Sequence, residues 1–192
     1  FAEEYSLEKT LPEVVEVVNK FASSDPSMPN VDHEVEVGSE NFPIRNEYTF
    51  DNFIVGASNH FARSICWSVA SGASSVDEFN PLFIYGPAGV GKTHLLYAIA
   101  NGIRKQNNNA NIVYIKGDQF TNELIDAIKN GKNVEFRSKY READLFLIDD
   151  IQFIAGKEST QEEFFHTFNK LYEEHKQIVM TSDRKPSDMV TL

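Results

Sequence analysis

The sequence predicts an α/β domain built on a parallel sheet, and three features of its second part carry that prediction. From Tyr48 onward, short apolar runs alternate with helical patterns, which is the arrangement of parallel strands joined by helices. A glycine-rich turn follows one apolar run, and two aspartates end another. The 192 residues are enough for one such domain and a smaller segment.

Hydrophobic periodicity predicts the elements of this region in order. The predicted helices span residues 57–70, 93–105, 119–130 and 159–174. The predicted strands span residues 81–85, 111–115, 145–148 and 177–181. Gly131 is placed to end the third helix, and Ser159 with Glu162 three residues later forms a capping box at the start of the fourth.

The first part of the chain, residues 1–46, differs from the rest in its pattern of predicted elements. Valines and leucines at helical spacing predict a short helix within residues 1–24, and residues 33–37 alternate like a half-buried strand. Residues 23–29 and 38–46 have the composition of linkers. One helix and one strand cannot bury a core alone, and the chain starts without Met. We therefore expect both ends to be interior to a longer protein.

Charge and composition narrow the function classes. The formal net charge is −11, of which residues 1–46 contribute −7, so a broad DNA-binding surface is disfavoured and any nucleic-acid contact must be local. No apolar run approaches the ~20 residues that span a bilayer, and the acidic start is unlike a secretory signal. The single Cys66 cannot form an internal disulfide. These features predict a cytoplasmic protein.

A phosphate-binding pattern lies in the glycine-rich turn. It consists of Gly86, Pro87, Ala88, Gly89, Val90, Gly91, Lys92 and Thr93, which match G-x-x-x-x-G-K-[ST]. The glycines let the backbone fold around an anion, and the following helix presents its positive end to the phosphates. We expect Lys92 to reach the β- and γ-phosphates of ATP and Thr93 to bind Mg²⁺. The alternative is a glycine-rich turn without a ligand.

Acidic residues at the ends of two predicted strands complete the candidate site. Asp149 and Asp150 follow residues 145–148, and the carboxyl edge of a parallel sheet is where ligands bind. We expect Asp149 to hold Mg²⁺ through water and Asp150 to orient or deprotonate the attacking water. Acids that merely solvate a strand end are the alternative. After the fourth strand, Asp183 is a candidate for sensing the γ-phosphate or the water, with a plain turn as the alternative.

Several stretches of the second part of the chain carry a family resemblance, namely residues 48–53, 80–86, 147–153, 161–169, 176–179 and 182–184. On these stretches, the region from Tyr48 to Leu192 resembles the AAA+ domain of the DnaA family of bacterial replication initiators. The resemblance covers about three quarters of the chain, and residues 161–169 are its most specific stretch. Spacing and composition by themselves indicate only a P-loop ATPase.

The resemblance implies a three-layer AAA+ sandwich with a five-stranded parallel sheet, of which four strands are expected here. It divides the chain into residues 1–37, a remnant of an N-terminal interaction domain, a linker at 38–46 and the nucleotide-binding core at 47–192. It implies ATP or ADP with Mg²⁺, slow switch-like hydrolysis, ATP-dependent self-assembly on the replication origin and opening of the duplex. The implied partners are single-stranded and origin DNA, the replicative helicase and acidic phospholipids.

The resemblance also suggests further site residues. Val55, Gly56 and Asn59 look like the segment that packs on adenine, with core packing as the alternative for Val55. Residues 120–140 resemble an extra helical element that such initiators use on single-stranded DNA. Ile125 and Lys157 occupy its contacting positions, with a core residue and a solvated loop lysine as the alternatives. Ser159 stands at a third such position where many relatives carry a basic residue, which weakens that contact.

Other functions are weighed against this one. A AAA+ helicase loader, or a regulator of the initiator, is the nearest alternative. A metabolic P-loop kinase would need an acceptor-substrate pocket, which no part of the sequence visibly supplies. A nucleotide-binding module that cannot hydrolyse is disfavoured by Lys92, Thr93, Asp149 and Asp150. The helical lid, the arginine that reaches a neighbour's nucleotide and the duplex-binding module are expected beyond Leu192, so this chain alone should hydrolyse ATP very slowly.

Overall fold

A computed structural model of the protein describes residues 15–18 and 45–189. Within them, a parallel sheet has the strand order β1-β2-β5-β4-β3. The strands are β1 (Val15–Val18), β2 (Leu82–Tyr85), β3 (Ile112–Lys116), β4 (Leu145–Asp149) and β5 (Gln177–Ser182). The α-helices are α1 (His60–Ser71), α2 (Lys92–Gln106), α3 (Gly117–Lys129), α4 (Asn133–Arg141) and α5 (Glu158–Glu173). Short 3₁₀ helices lie at Val76–Phe79, Ile151–Ile154 and Pro186–Asp188.

The central strands are buried on both faces of the sheet, as is typical of parallel sheets covered by helices. Successive side chains of a strand point to opposite faces, so the sheet separates two cores. One core joins Leu82, Leu147 and Val179 to α1 and α2. The other joins alternate strand residues, such as Phe146 and Met180, to α3, α4 and α5. The molecule is thus the predicted three-layer α/β sandwich.

Most predicted elements are confirmed to within three residues at either end. The third predicted helix becomes α3, and Gly131 follows it with a φ of 68°, in the left-handed region that glycine adopts without steric cost. The chain then turns into α4, which lies almost wholly within residues 120–140. The expected helical element therefore contains α4 as well as most of α3, and the two helices pack on each other.

Two local predictions are wrong. Residues 15–18 form the edge strand β1, paired in parallel with β2, where a helix was expected. This strand is additional to the four predicted ones, all of which are present. The segment Val-Glu-Val-Val is rich in β-branched residues, which favour strands when a partner strand is at hand. The capping box is also absent. Helix α5 begins at Glu158, so Ser159 lies inside the first turn, and the carbonyl oxygen of Lys157 accepts the first amide hydrogen bonds.

Several predictions lie outside the described residues. These are the remainder of the helix at 1–24, the strand at 33–37, the linker at 23–29 and nearly all of the linker at 38–46. The division into a remnant domain, a linker and a core therefore stays a prediction. No helix of the described part of the chain is long and apolar enough to cross a membrane.

Candidate nucleotide-binding site

The glycine-rich turn joins β2 to α2 at the carboxyl edge of the sheet. Gly86 donates its amide to the carbonyl oxygen of Ser182 at 3.1 Å, which ties the start of the turn to β5. Gly91 has a φ of 93°, and a Cβ there would lie 2.9 Å from the ring of Phe53. A side chain at position 91 is thus excluded by both conformation and space. The backbone of the turn, exposed between Pro87 and Gly89, is free to surround an anion.

Lys92, the first residue of α2, lies buried beneath this turn, with 6% of its side chain exposed. Its ammonium donates to the carbonyl oxygens of Gly86 and Pro87 at 2.8 and 3.0 Å. It also forms an ion pair with Asp183 Oδ1 at 2.5 Å. A buried ammonium needs compensating acceptors, and here the turn and one carboxylate provide them. The predicted phosphate-binding lysine and the predicted sensor are therefore in direct contact.

Asp149, the last residue of β4, is the most enclosed carboxylate of the site, with 1% exposure. Its Oδ2 accepts hydrogen bonds from Thr93 Oγ1 at 2.7 Å and from Tyr114 Oη at 3.0 Å. Its Oδ1 accepts a short hydrogen bond from the hydroxyl of Thr181. Three hydroxyl groups thus hold a carboxylate that burial would otherwise destabilise.

Asp150 is oriented by the backbone as well as by its neighbours. Its φ of 55° and ψ of 52° place it in the left-handed region, which non-glycine residues seldom occupy. Its amide donates to Thr181 Oγ1 at 3.0 Å, and Gln152 Nε2 donates to its Oδ1 at 3.1 Å. Burial, together with the charges of Asp149 and Asp183, raises the pKa of Asp150 against the opposing effect of the Gln152 hydrogen bond. A raised pKa suits a carboxylate that accepts a proton from water.

The segment proposed to pack on adenine is shaped by Asn59. This side chain is 1% exposed, and its Oδ1 accepts the amide of Gly56 at 2.7 Å while its Nδ2 donates to the Ile54 carbonyl oxygen at 2.9 Å. Both polar groups of the Asn59 side chain are hydrogen-bonded to the backbone of this segment, so Asn59 stabilises its conformation. Val55 is 46% exposed, and a Cβ at Gly56 would meet no atom within 4 Å. Core packing therefore does not account for Val55.

Of the two candidate DNA-contacting residues, Ile125 lies on α3 and Lys157 contacts that helix. Lys157 Nζ donates to Thr121 Oγ1 at 3.3 Å, and Thr121 stands one turn before Ile125 on α3. Ile125 is 42% exposed, whereas the neighbouring Leu124 is buried in the core. Ile125 is thus a surface residue, and Lys157 lies beside its helix. Ser159 is exposed on the first turn of α5.

Three residues of the site were not predicted from the sequence. Thr181 bridges the two aspartates, Tyr114 contacts Asp149, and Gln152 connects Asp150 with the amide of Asp183 at 3.3 Å. Thr181 carried a signal, since it is a polar residue near the carboxyl end of a predicted strand. Tyr114 carried none, because an aromatic residue inside a strand is indistinguishable from a core residue.

The donor set is suited to a small hard cation. Thr93 Oγ1 and Asp149 Oδ2 lie 2.7 Å apart, and Mg²⁺ prefers oxygen ligands while keeping several of its waters. Among residues 15–18 and 45–189, no cluster of three or more His, Cys, Asp or Glu could hold a metal by itself. The site therefore fits a metal whose remaining ligands are phosphate and water.

Comparisons with known proteins agree with this geometry. A family model for the bacterial DnaA ATPase domain matches residues 44–192. Domain III of the Thermotoga maritima replication initiation protein DnaA is 46% identical over 77% of this chain and 61% of its own, with a TM-score of 0.73. A replication initiator DnaA bound to AMPPCP and single-stranded DNA is 41% identical over 77% of this chain and 45% of its own, with a TM-score of 0.72. This chain thus spans 45–61% of the length of these relatives.

A DnaC helicase loader shares only the fold. It is 18% identical over 72% of this chain and 78% of its own, with a TM-score of 0.60. Sequence identity therefore separates the loader from the initiators, although both contain the same α/β architecture.

Proposed function

Because the chain belongs to the DnaA family of bacterial replication initiators, matching the family's ATPase domain, we propose that it binds ATP and Mg²⁺ and uses them to control assembly on a replication origin. One observation carries this proposal. Lys92, Thr93 and Asp149, which lie up to 57 residues apart in the sequence, meet at the carboxyl edge of the sheet within one hydrogen-bonded cluster. The local sequence around each residue does not bring these side chains together, so their proximity results from the tertiary structure.

Residues 86–93 are proposed to hold the triphosphate, with backbone amides and Lys92 as donors. Val55 and Gly56 are proposed to line the adenine, with Asn59 fixing the shape of their segment. Thr93 and Asp149 would hold Mg²⁺, which supplies charge neutralisation for the phosphates when bound. ADP would occupy the same site after hydrolysis.

Hydrolysis is proposed to be slow and to act as a switch. Asp150 is the proposed base or orienting group for the attacking water, which its raised pKa supports. Asp183 is proposed to sense the γ-phosphate through Lys92, since the carboxylate and a phosphate would compete for the same ammonium. The chain by itself should hydrolyse ATP very slowly, because an arginine from a neighbouring subunit is worth about 10³–10⁵ in rate in related P-loop enzymes.

The activities of the full-length protein are proposed from the family alone. They are ATP-dependent self-assembly, contact of Ile125 and Lys157 with single-stranded DNA, and origin recognition through a separate duplex-binding domain. The replicative helicase and acidic phospholipids are proposed partners, and the cytoplasm is the proposed location. The exposure of Ile125 and the position of Lys157 beside its helix support the DNA contact.

The nucleotide proposal is tested by titrating the chain with a fluorescent ATP analogue. Lys92→Ala removes charge-assisted bonds to phosphate, a class worth about 1.5–3 kcal/mol, and should weaken binding about 10- to 150-fold. Lys105→Ala is the matched control, since it removes an exposed lysine near the other end of α2. Equal affinity of wild type and Lys92→Ala would show that residues 86–93 do not bind the nucleotide.

The helicase-loader alternative is separated from the initiator by a different measurement. A basic duplex-binding domain is expected in the full-length initiator and not in a loader. Specific binding of the full-length protein to origin duplex would therefore support the initiator. Failure of that binding, with nucleotide binding intact, would favour the loader.

A further inference from the structure

Tyr114 places a phenol against the proposed Mg²⁺-binding carboxylate. It stands in the middle of β3, opposite Leu147 of β4, and its hydroxyl reaches Asp149 Oδ2 at 3.0 Å. Thr93 donates to the same oxygen at 2.7 Å, so Asp149 Oδ2 is shared between a proposed metal ligand and Tyr114. Phenylalanine would fill the same space in the strand, and only the hydroxyl of a tyrosine can make this contact.

The hydroxyl of Tyr114 is held as a donor. A phenol carries one O–H donor, whereas an ionised carboxylate can only accept, so Tyr114 donates to Asp149 Oδ2. The donor–acceptor direction of this contact is thus fixed by chemistry.

The ring of Tyr114 is also fixed in position. The Tyr97 ring of α2 lies 5.1 Å away, centroid to centroid. Tyr97 in turn packs on Tyr48 at 5.6 Å and lies under the guanidinium of Arg45 at 5.7 Å. A ring packed this way cannot swing away without disturbing α2. Tyr114 therefore presents its hydroxyl at a constant place relative to the carboxylate.

We propose that Tyr114 is a positioning residue for Mg²⁺-dependent nucleotide binding, in which its hydroxyl orients the Asp149 carboxylate. This inference rests on the proposed function, because it assumes that Thr93 and Asp149 hold Mg²⁺. Thr181 secures Oδ1 and Tyr114 secures Oδ2, so each oxygen of the carboxylate has a donor besides any metal ligand. Groups that orient a metal-binding carboxylate in this way typically change metal affinity or activity 10- to 100-fold when removed.

The test compares Tyr114→Phe with wild type by titrating a fluorescent ATP analogue into the full chain, at a series of Mg²⁺ concentrations and in EDTA. In Tyr114→Phe, the Mg²⁺ concentration that gives half of the increase in affinity for the analogue should be about tenfold higher than in wild type. Affinity in EDTA should be unchanged, because the proposed role of Tyr114 acts only through the metal-binding carboxylate. Partial misfolding would lower both affinities equally, so the ratio of the Mg²⁺ and EDTA affinities isolates the positioning role.

Two further variants sharpen the comparison. Tyr140→Phe removes another buried tyrosine hydroxyl, which donates to Glu123 Oε2 at 2.6 Å instead of to Asp149, and should leave the Mg²⁺ dependence unchanged. In an Asp149→Asn background, Tyr114→Phe should have no further effect on Mg²⁺ dependence.

The outcomes distinguish this inference from the proposal beneath it. If wild type gains affinity with Mg²⁺ and Tyr114→Phe follows the same curve, Tyr114 has no positioning role and the nucleotide proposal stands. If wild type binds the analogue without any effect of Mg²⁺, the proposed metal site is wrong and this inference fails with it. If Tyr114→Phe alone needs more Mg²⁺ to reach the same affinity, the result supports both the positioning role of Tyr114 and the proposed metal site.

Discussion

Glu163 offers a stability prediction whose size follows from the structure. This carboxylate of α5 is 9% exposed and forms ion pairs with both arginines of α4. Arg137 donates from Nε and Nη2 at 2.9–3.3 Å, and Arg141 donates from Nη2 at 2.6 Å. The cluster joins α4 to α5. Glu163→Gln keeps the shape of the side chain and removes the charge that both guanidinium groups face.

The expected decrease in the free energy of unfolding lies between two limits. Removing one partner of a fully buried ion pair costs about 3–5 kcal/mol, whereas an exposed pair contributes about 0–1 kcal/mol. Glu163 is buried, but Arg137 is 51% exposed and Arg141 is 27% exposed, so water screens part of the interaction. We therefore expect Glu163→Gln to lower the free energy of unfolding by about 2 kcal/mol. For a chain of this size that lowers Tm by about 4–8 °C.

The assay is urea unfolding of both proteins, with Glu174→Gln as the matched control. Glu174 pairs with Lys170 one turn away on the surface of α5, where both side chains are at least 41% exposed, so this control should change stability by less than about 0.5 kcal/mol. If Glu163→Gln and Glu174→Gln are equally stable, the buried cluster contributes no more than a surface pair. The reasoning from burial would then be refuted.

The same variant predicts a pH dependence. Burial by itself would raise the pKa of Glu163, but hydrogen bonds and charge from Arg137 and Arg141 outweigh it and lower the pKa below its ordinary value of 4.5. A carboxylate whose folded pKa is lowered stabilises the protein above its unfolded pKa and loses that contribution as the pH falls through the folded one. The stability difference between wild type and Glu163→Gln should be constant above pH 4.5 and shrink below it. A difference that grows on acidification would contradict this sign.

Three further predictions concern the site and its surroundings. In the full-length protein, Asp150→Asn should keep ATP affinity and reduce turnover about 10²-fold or more, and unchanged turnover would remove Asp150 from the reaction. Gly117→Ala would place a Cβ 2.6 Å from the Asp150 carbonyl oxygen, so it should lower the free energy of unfolding by about 1–3 kcal/mol and slow ATP hydrolysis by the folded protein. Gly102→Ala, whose Cβ would lie 2.8 Å from that of Ala70, should destabilise the protein without slowing hydrolysis. Lys157→Ala should weaken single-stranded DNA binding by assembled full-length protein and reduce the salt slope by about 0.7 per subunit. Lys105→Ala, which removes an exposed lysine of α2, should change neither.

Local pattern was sufficient for the core elements. The apolar runs before Gly86 and through Ile148 are long enough, and bounded sharply enough by glycine and aspartate, that only a buried strand fits them. The spacing from Gly86 to Thr93 likewise predicted the phosphate-binding turn, because its chemistry is carried by consecutive residues. Where a feature depends on residues within one turn or one strand, the sequence contains the information needed to find it.

The remaining features depended on which strands are neighbours. Val15 and Val18 satisfy helical spacing as well as strand propensity, and pairing with β2, more than 60 residues later, decides for the strand. Thr181 reaches Asp149 only because β5 lies next to β4, and Tyr114 reaches it only because β3 borders the other side. The sequence by itself determined the α/β class, the phosphate-binding turn and the paired aspartates. Strand order decided what holds Asp149, because contacts across a sheet join residues whose separation along the chain carries no periodic signal.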